Sequence, residues 1–290
     1  MRKILLIALL AAFTACNATT AANTDSGKRK VVVADRNYVT RDVKGIDRFD
    51  KINSRGIADV EYIQKDGRPS ISVYGSENVL PYLKVQVSGN TLNITIDDKV
   101  QIRGEHRLKV RVSNPGLVAV STSGTGEIDI KGILSTGDFE MSTTGTGDID
   151  FDVIESSGKV TMSVRGTGDV DGESLRCVSL SATVSGTGDI DIDDIRSDMF
   201  KLSVSGTGSA DVGGRTNEFT VTVSGTGSVK AGNLRADVVN ATVSGTGSLS
   251  CYAVKELYAT ESGTGSIRYD GNPNIVDIKG WNRRVVRRED

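Results

Sequence analysis

The tripeptide Gly-Thr-Gly recurs eight times, with first glycines at Gly124, Gly145, Gly166, Gly186, Gly206, Gly225, Gly245 and Gly263, at spacings of 21, 21, 20, 20, 19, 20 and 18 residues. A unit of this length carries too little apolar surface to hold a core alone. It becomes stable only when its neighbours complete that core, which is the logic of a stacked repeat. The even spacing also leaves little length for loops between units.

Aligning the copies on their first glycine shows what each unit contains. Apolar residues stand six, four and two positions before it, as in Val118-Val120-Thr122, Phe139-Met141-Thr143, Val160-Met162-Val164 and Phe200-Leu202-Val204. Four positions after it come Ile128, Ile149, Val170, Ile190, Ala210, Val229, Leu249 and Ile267, and polar residues fill nearly all the places between. A period of two puts alternate side chains on opposite faces of a strand. Both glycines of each triplet share the inward parity, and the threonine between them points outward. An inward glycine suits a corner where backbone passes close to backbone. Twenty residues at about 3.3 Å each give a perimeter of about 66 Å, room for two or three short strands per turn. Stacked about 4.8 Å apart, such turns pair every backbone group with the turn above and below.

The fold expected is therefore all-β, a right-handed parallel β-helix of about eight 20-residue coils, with the hand set by strand twist. The leucine-rich pattern and the six-residue sub-period of left-handed helices are both absent. Residues 31–115 lack the triplet but read as strands at Ile57–Ile63, Ile71–Tyr74, Leu83–Val87, Leu92–Ile96 and Leu108–Val112. Ser88-Gly89-Asn90 marks a hairpin, and Glu77 to Leu80 before Pro81 a helical turn. This section forms either earlier irregular coils or a cap on the open edge. The solenoid spans 116–280, and a basic tail, 281–290, follows.

The start of the chain is an address. Arg2-Lys3, an apolar stretch from Ile4 to Ala12, and small residues leading to Cys16 form a secretory signal over 1–15. The stretch is too short to span a bilayer. Its end resembles a bacterial lipoprotein lipobox, with Phe13 where leucine is usual. That implies cleavage before Cys16, acylation of Cys16, and a polar tether over 16–30. The expected location is the bacterial cell envelope, as an outer-membrane lipoprotein.

Stacking would turn the outward positions into rows. One is a hydroxyl row of Thr125, Thr146, Thr167, Thr187, Thr207, Thr226, Thr246 and Thr264, a candidate binding face. Beside it run Glu127, Asp129, Asp148, Asp150, Asp169, Asp171, Asp189 and Asp191, candidate cation contacts because stacked carboxylates repel unless screened. The calcium-repeat pattern of nine residues is missing, and a solvated polar face explains the same residues. Thirty-five Lys and Arg against thirty-seven Asp and Glu give no nucleic-acid footprint. A single histidine, His106, read as a surface residue, leaves no His-based catalytic site. No cofactor is expected. Cys177 and Cys251 should be free packed thiols, too far apart to bridge.

With its Ser-Gly-Thr-Gly-Asp/Ser repeats, lipoprotein-like start and strand-rich leader, the chain resembles the head GIN domain family of "putative autotransporter adhesins". The likeness spans about residues 45–265. No literal Gly-Ile-Asn occurs; Gly56-Ile57-Ala58 is the nearest string. The resemblance implies a β-helical fold and an adhesive role, although 290 residues leave no room for the membrane barrel of an autotransporter. The function expected is a non-catalytic envelope lipoprotein presenting a rigid surface to a protein or glycan partner, with self-association possible. The alternative is a β-helix that binds or cleaves polysaccharide.

Overall fold

The computed structural model describes residues 29–280 and 284–288. The signal over 1–15, Cys16, most of the tether and Trp281 lie outside the described residues. Regular structure in the described residues is strand, apart from a 3-10 turn at Leu80–Tyr82 and a 3-10 position at Arg284.

Strands entering the corners stack in parallel and in register. Lys51–Arg55, Ala119–Thr122, Phe139–Thr143, Lys159–Val164 and Ser179–Val184 lie one above the next. Strands leaving the corners do the same, from Asp59–Gln64 through Ile128–Thr136 and Ile149–Ser156 to Val170–Arg176. From Ile190 onward single strands run from one corner to the next, in Ile190–Val204, Ala210–Val223, Ser228–Val243 and Ser248–Glu261, with a shift of register inside each pairing. The chain is the parallel β-solenoid that the repeat predicts.

The corner explains the triplet. The carbonyl of Gly186 accepts the N–H of Thr207 at 3.1 Å and of Gly208 at 3.3 Å, and the same pair of bonds recurs from coil to coil. A Cβ on Gly206 or Gly208 would overlap the carbonyl oxygen of Gly186 or Gly188 beneath it. None of the triplet glycines has a positive φ. Space, not backbone freedom, requires glycine here.

A ninth corner lies below the eight triplets. The carbonyl of Gly56 accepts Thr125 N–H at 2.7 Å and Gly126 N–H at 3.1 Å. Gly56-Ile57-Ala58 thus takes the place of a Gly-Thr-Gly, with Gly56 at φ 134°. The insertion between this coil and the next extends the stack and then closes it. Thr91–Ile96 and Lys109–Asn114 pair in parallel beneath Lys51–Arg55 and Asp59–Gln64. Leu83–Ser88, Ser70–Ser76 and Tyr38–Val43 then add on antiparallel. At the other end Ile275–Gly280 and Val285–Arg287 cover the last coil.

Inward side chains fill the interior along its length, and each buried Val, Leu, Ile, Phe or Met contributes about 1.5–3 kcal/mol. Phe200 and Phe219 pack as a tilted pair with ring centroids 5.1 Å apart. Thr122 and Thr143, buried in the same row, donate their hydroxyls to the carbonyls of Gly126 and Gly147 at 3.2 and 2.8 Å. One expected inward residue points out: Val118 is 37% exposed, while Leu117 and Val120 are buried. The strand begins only at Ala119. The chain arriving from the N-terminal section through Pro115-Gly116 places Leu117 inward instead.

Candidate functional site

All eight triplet threonines are exposed, in a column along the corner edge. The acidic residues divide into two rows with different physics.

The row nearer the corner serves the backbone. Asp148 accepts the N–H of Asp169 at 2.8 Å, and Asp169 accepts that of Asp189 at 2.7 Å. Asp189 in turn accepts the N–H of Ser209, and Asp59 that of Glu127 at 3.3 Å. Each carboxylate ties its coil to the one above, a charge-assisted bond that helps fix register.

The second row is continuous through six carboxylates. Glu61, Asp129, Asp150, Asp171, Asp191 and Asp211 lie in register, each on the next coil. Cations close both ends: Lys109 and Arg111 stand 3.4 and 3.6 Å from Glu61, and Lys230 stands 3.5 Å from Asp211. Lys131 pairs with Asp129 at 2.9 Å. The central three, Asp150, Asp171 and Asp191, have no ion pair among the described residues. Partial burial, a shared hydrogen bond with Glu127 and like-charged neighbours push Asp150 up to about 7. Burial and the surrounding aspartates push Asp171 up to about 6. Asp191 is raised by burial and then by Asp211 and Asp193. No group of three or more Asp, Glu, His or Cys among the described residues is arranged to hold a metal ion.

His106, expected on the surface, is half-buried. Its Nδ1 accepts the Leu108 N–H at 3.3 Å, and burial lowers its pKa. Cys177 and Cys251 are free, as their positions predict. Burial pushes their thiols up to about 11 and about 12, so neither is a ready nucleophile.

The outer face carries one feature that counting triplets alone does not reveal. Ala231 pairs with Cys251 and Arg235 with Tyr252, so Gly232, Asn233 and Leu234 have no counterpart on the next coil. On the coil after that, Asp270-Gly271-Asn272 turns outward, with Gly271 at φ 95°. The coil between is the one with the 18-residue spacing, Gly245 to Gly263. After its corner this coil runs from Leu249 to Leu257, a shorter stretch than Val229 to Val239 below it or Ile267 to Val276 above it, and this leaves a trough of about 760 Å³, floored by Ser250 and Tyr252. Lys230 and Asp211 stand at one end, and Arg287 and Arg288 at the other. Arg235 lies over the Tyr252 ring at 4.5 Å from its centroid. The clue in the sequence is the shortest interval in the series.

The family model described as "Putative auto-transporter adhesin, head GIN domain" matches residues 48–213 and 160–273. The chain belongs to the head GIN domain family. Solved structures agree with this assignment. A "putative adhesin" from Bacteroides fragilis is 26% identical over 88% of this head GIN domain chain and 99% of its own, with a TM-score of 0.51. A "putative lipid binding protein" from Parabacteroides distasonis is 27% identical over 90% of this chain and 100% of its own, at 0.59. A second P. distasonis protein, also a "putative adhesin", shares the fold at a TM-score of 0.67 and 20% identity, over 89% of this chain and 99% of its own. No curated protein matches the chain. Among the described residues no helix is long and apolar enough to cross a membrane.

Proposed function

We propose that this head GIN domain chain is a non-catalytic protein of the bacterial cell envelope that uses its solenoid as a rigid adhesive surface. Acylation at Cys16 would attach it to the outer membrane, and the polar tether would give it reach. The observation that carries the reading is the register of nine corners. It fixes the threonine column, the carboxylate row and the trough on one stiff frame, a geometry suited to binding an extended protein or glycan. The carboxylate row supports binding over cleavage because it is a continuous strand face: Asp150, Asp171 and Asp191 are raised together, first by burial and then by like-charged neighbours, as in a shared surface rather than a single acid–base pair. The relative described as a lipid binding protein raises a lipid ligand. Here buried side chains fill the interior from Ile52 to Ile267, which disfavours acyl chains inside the solenoid.

The test uses beads carrying the full mature chain through its N-terminus, the orientation an anchor would impose. They should be retained on immobilised envelope or host polysaccharide and protein above beads carrying an unrelated solenoid. Equal retention, or release of shortened saccharide by the chain, overturns the reading. Cys16→Ala should move the protein from the membrane to the soluble fraction of cells, and unchanged fractionation removes the anchor.

A further inference from the structure

We infer that the trough over Ser250 and Tyr252 is a binding site for an acidic oligosaccharide. This gives a ligand class to the binding role proposed above, on which it rests.

The shape comes first. At about 760 Å³ the trough lies within the range of small-ligand sites, about 300–1,000 Å³. It is open along one side, which suits a segment of a longer chain. Its shape follows from the backbone, since the Gly232-Asn233 bulge and the Gly271-Asn272 turn form its two walls and the shortened coil its floor.

The chemistry is of two kinds. Along the walls and floor, Asn233 and Asn272 present amides, Asp270 a carboxylate and Ser250 a hydroxyl. Planar amides and carboxylates bind neighbouring sugar hydroxyls through paired donors and acceptors. Tyr252 offers a phenol held in place by Arg235, whose Nη2 donates to its Oη at 3.2 Å. At the end of the trough Arg287 and Arg288 are exposed and make no ion pair among the described residues. A guanidinium fork matches a carboxylate or sulfate in bidentate geometry. Lys230 is already paired with Asp211, so selection for negative charge falls to the arginine end.

That end is built, not incidental. Val285–Arg287 pairs with the strand Ser266–Asp270, setting Arg287 beside Tyr269. Arg284 anchors the segment by donating to the Gly263 carbonyl and standing 3.7 Å from the buried Glu261 carboxylate. The lining also argues against a membrane surface as the ligand. None of the exposed large apolar residues lines the trough, so its lining offers nothing to insert among lipid chains.

The experiment titrates the full mature chain with trigalacturonate, sialyllactose and a heparin tetrasaccharide, each beside its neutral counterpart (the methyl ester, lactose and the desulfated, carboxyl-reduced form). Vesicles of phosphatidylglycerol in phosphatidylcholine form a separate arm. At least one acidic member should bind about tenfold or more tightly than its counterpart. Arg287→Ala/Arg288→Ala, and independently Asn272→Trp filling the trough, should each weaken that binding about tenfold or more. Arg176→Ala, elsewhere on the surface, should leave it unchanged. Equal binding of the neutral forms, indifference to both trough variants, binding to vesicles alone, or no binding at all overturns the site. Retained beads with a silent trough leave the adhesive role standing and remove only this ligand. Saccharide binding without bead retention does the reverse.

Discussion

Glu261 occupies, in the last triplet coil, the inward place that Val164, Val184, Val204, Val223 and Val243 hold below it, and its carboxylate faces Arg284 at 3.7 Å. The Glu261 side chain is fully buried, and neither of its oxygens finds a hydrogen-bond donor. A valine column therefore ends in a charge at the open end of the stack, where the C-terminal segment folds over to meet it. Removing one member of a buried pair leaves the other uncompensated, and that costs more than replacing the charge with a fitting apolar group. Arg284→Met should destabilise the chain by about 3 kcal/mol, the lower end of the usual range because the guanidinium is partly solvated. Glu261→Val should be neutral or stabilising, since it continues the column. Urea unfolding of both variants checks the pair. Equal losses in the two would show that the carboxylate is well satisfied in its place.

The central carboxylates predict how stability responds to pH. Asp150 and Asp171 have folded pKa values of about 7 and about 6, above the ordinary 3.8. The folded chain therefore holds protons that the unfolded chain has released. From these groups stability is lowest above about pH 7. It rises as pH falls through the folded values and levels off below the unfolded value. Both side chains are partly exposed, and solvent screens their repulsion. The expected effect of Asp150→Asn is a gain of about 2–4 °C in melting temperature at pH 8, shrinking as pH falls toward 4. Melting curves across that interval decide it. A gain that persists undiminished at pH 4 would mean repulsion is not its source.

Much of this architecture was legible because the repeat states it many times. Period-two alternation placed Ile149, Val170 and Ile190 inside, and glycine at an inward position marked the corners. The ninth corner was harder to see. Gly56-Ile57-Ala58 keeps only the first glycine, and the chain from 65 to 116 separates it from the next coil. Val118 was misplaced because periodicity does not report where a strand begins. The two acidic rows looked alike in sequence, since nothing there distinguishes a carboxylate that accepts the next coil's N–H from one that meets only other carboxylates. The trough was present as an 18-residue interval, but its consequence depends on the bulge at Gly232-Asn233 and the turn at Gly271, which register alone reveals.

The glycine places of the stacked triplets should tolerate no side chain. In Gly206→Ala the added methyl meets the Gly186 carbonyl oxygen, which is itself held by the N–H groups of Thr207 and Gly208. Backbone cannot swing away as a flexible side chain can, so the coils must part locally. A loss of about 3 kcal/mol is expected, the upper end for overpacking. Thr207→Ala at the exposed neighbouring place should change stability by less than about 0.5 kcal/mol. Thermal unfolding of the two variants separates a steric corner from a merely flexible one. Similar small effects at both positions would contradict the crowding described.

Gly172 tests the same crowding inside the core, where a side chain is the obstacle. It stands at an inward place filled by Ile130, Phe151 and Ile192 on neighbouring coils. A Cβ there would run into the Phe151 ring, so the large residue on one coil occupies the space the next coil leaves. Gly172→Ala alone should destabilise by about 1–3 kcal/mol. Phe151→Leu alone should also destabilise, by opening a cavity. Together the two changes restore volume, so the double variant should be more stable than the sum of the single losses predicts, by about 1 kcal/mol or more. Strict additivity in that cycle would mean the ring can turn aside, and that the glycine at 172 answers to some constraint other than its neighbour's size.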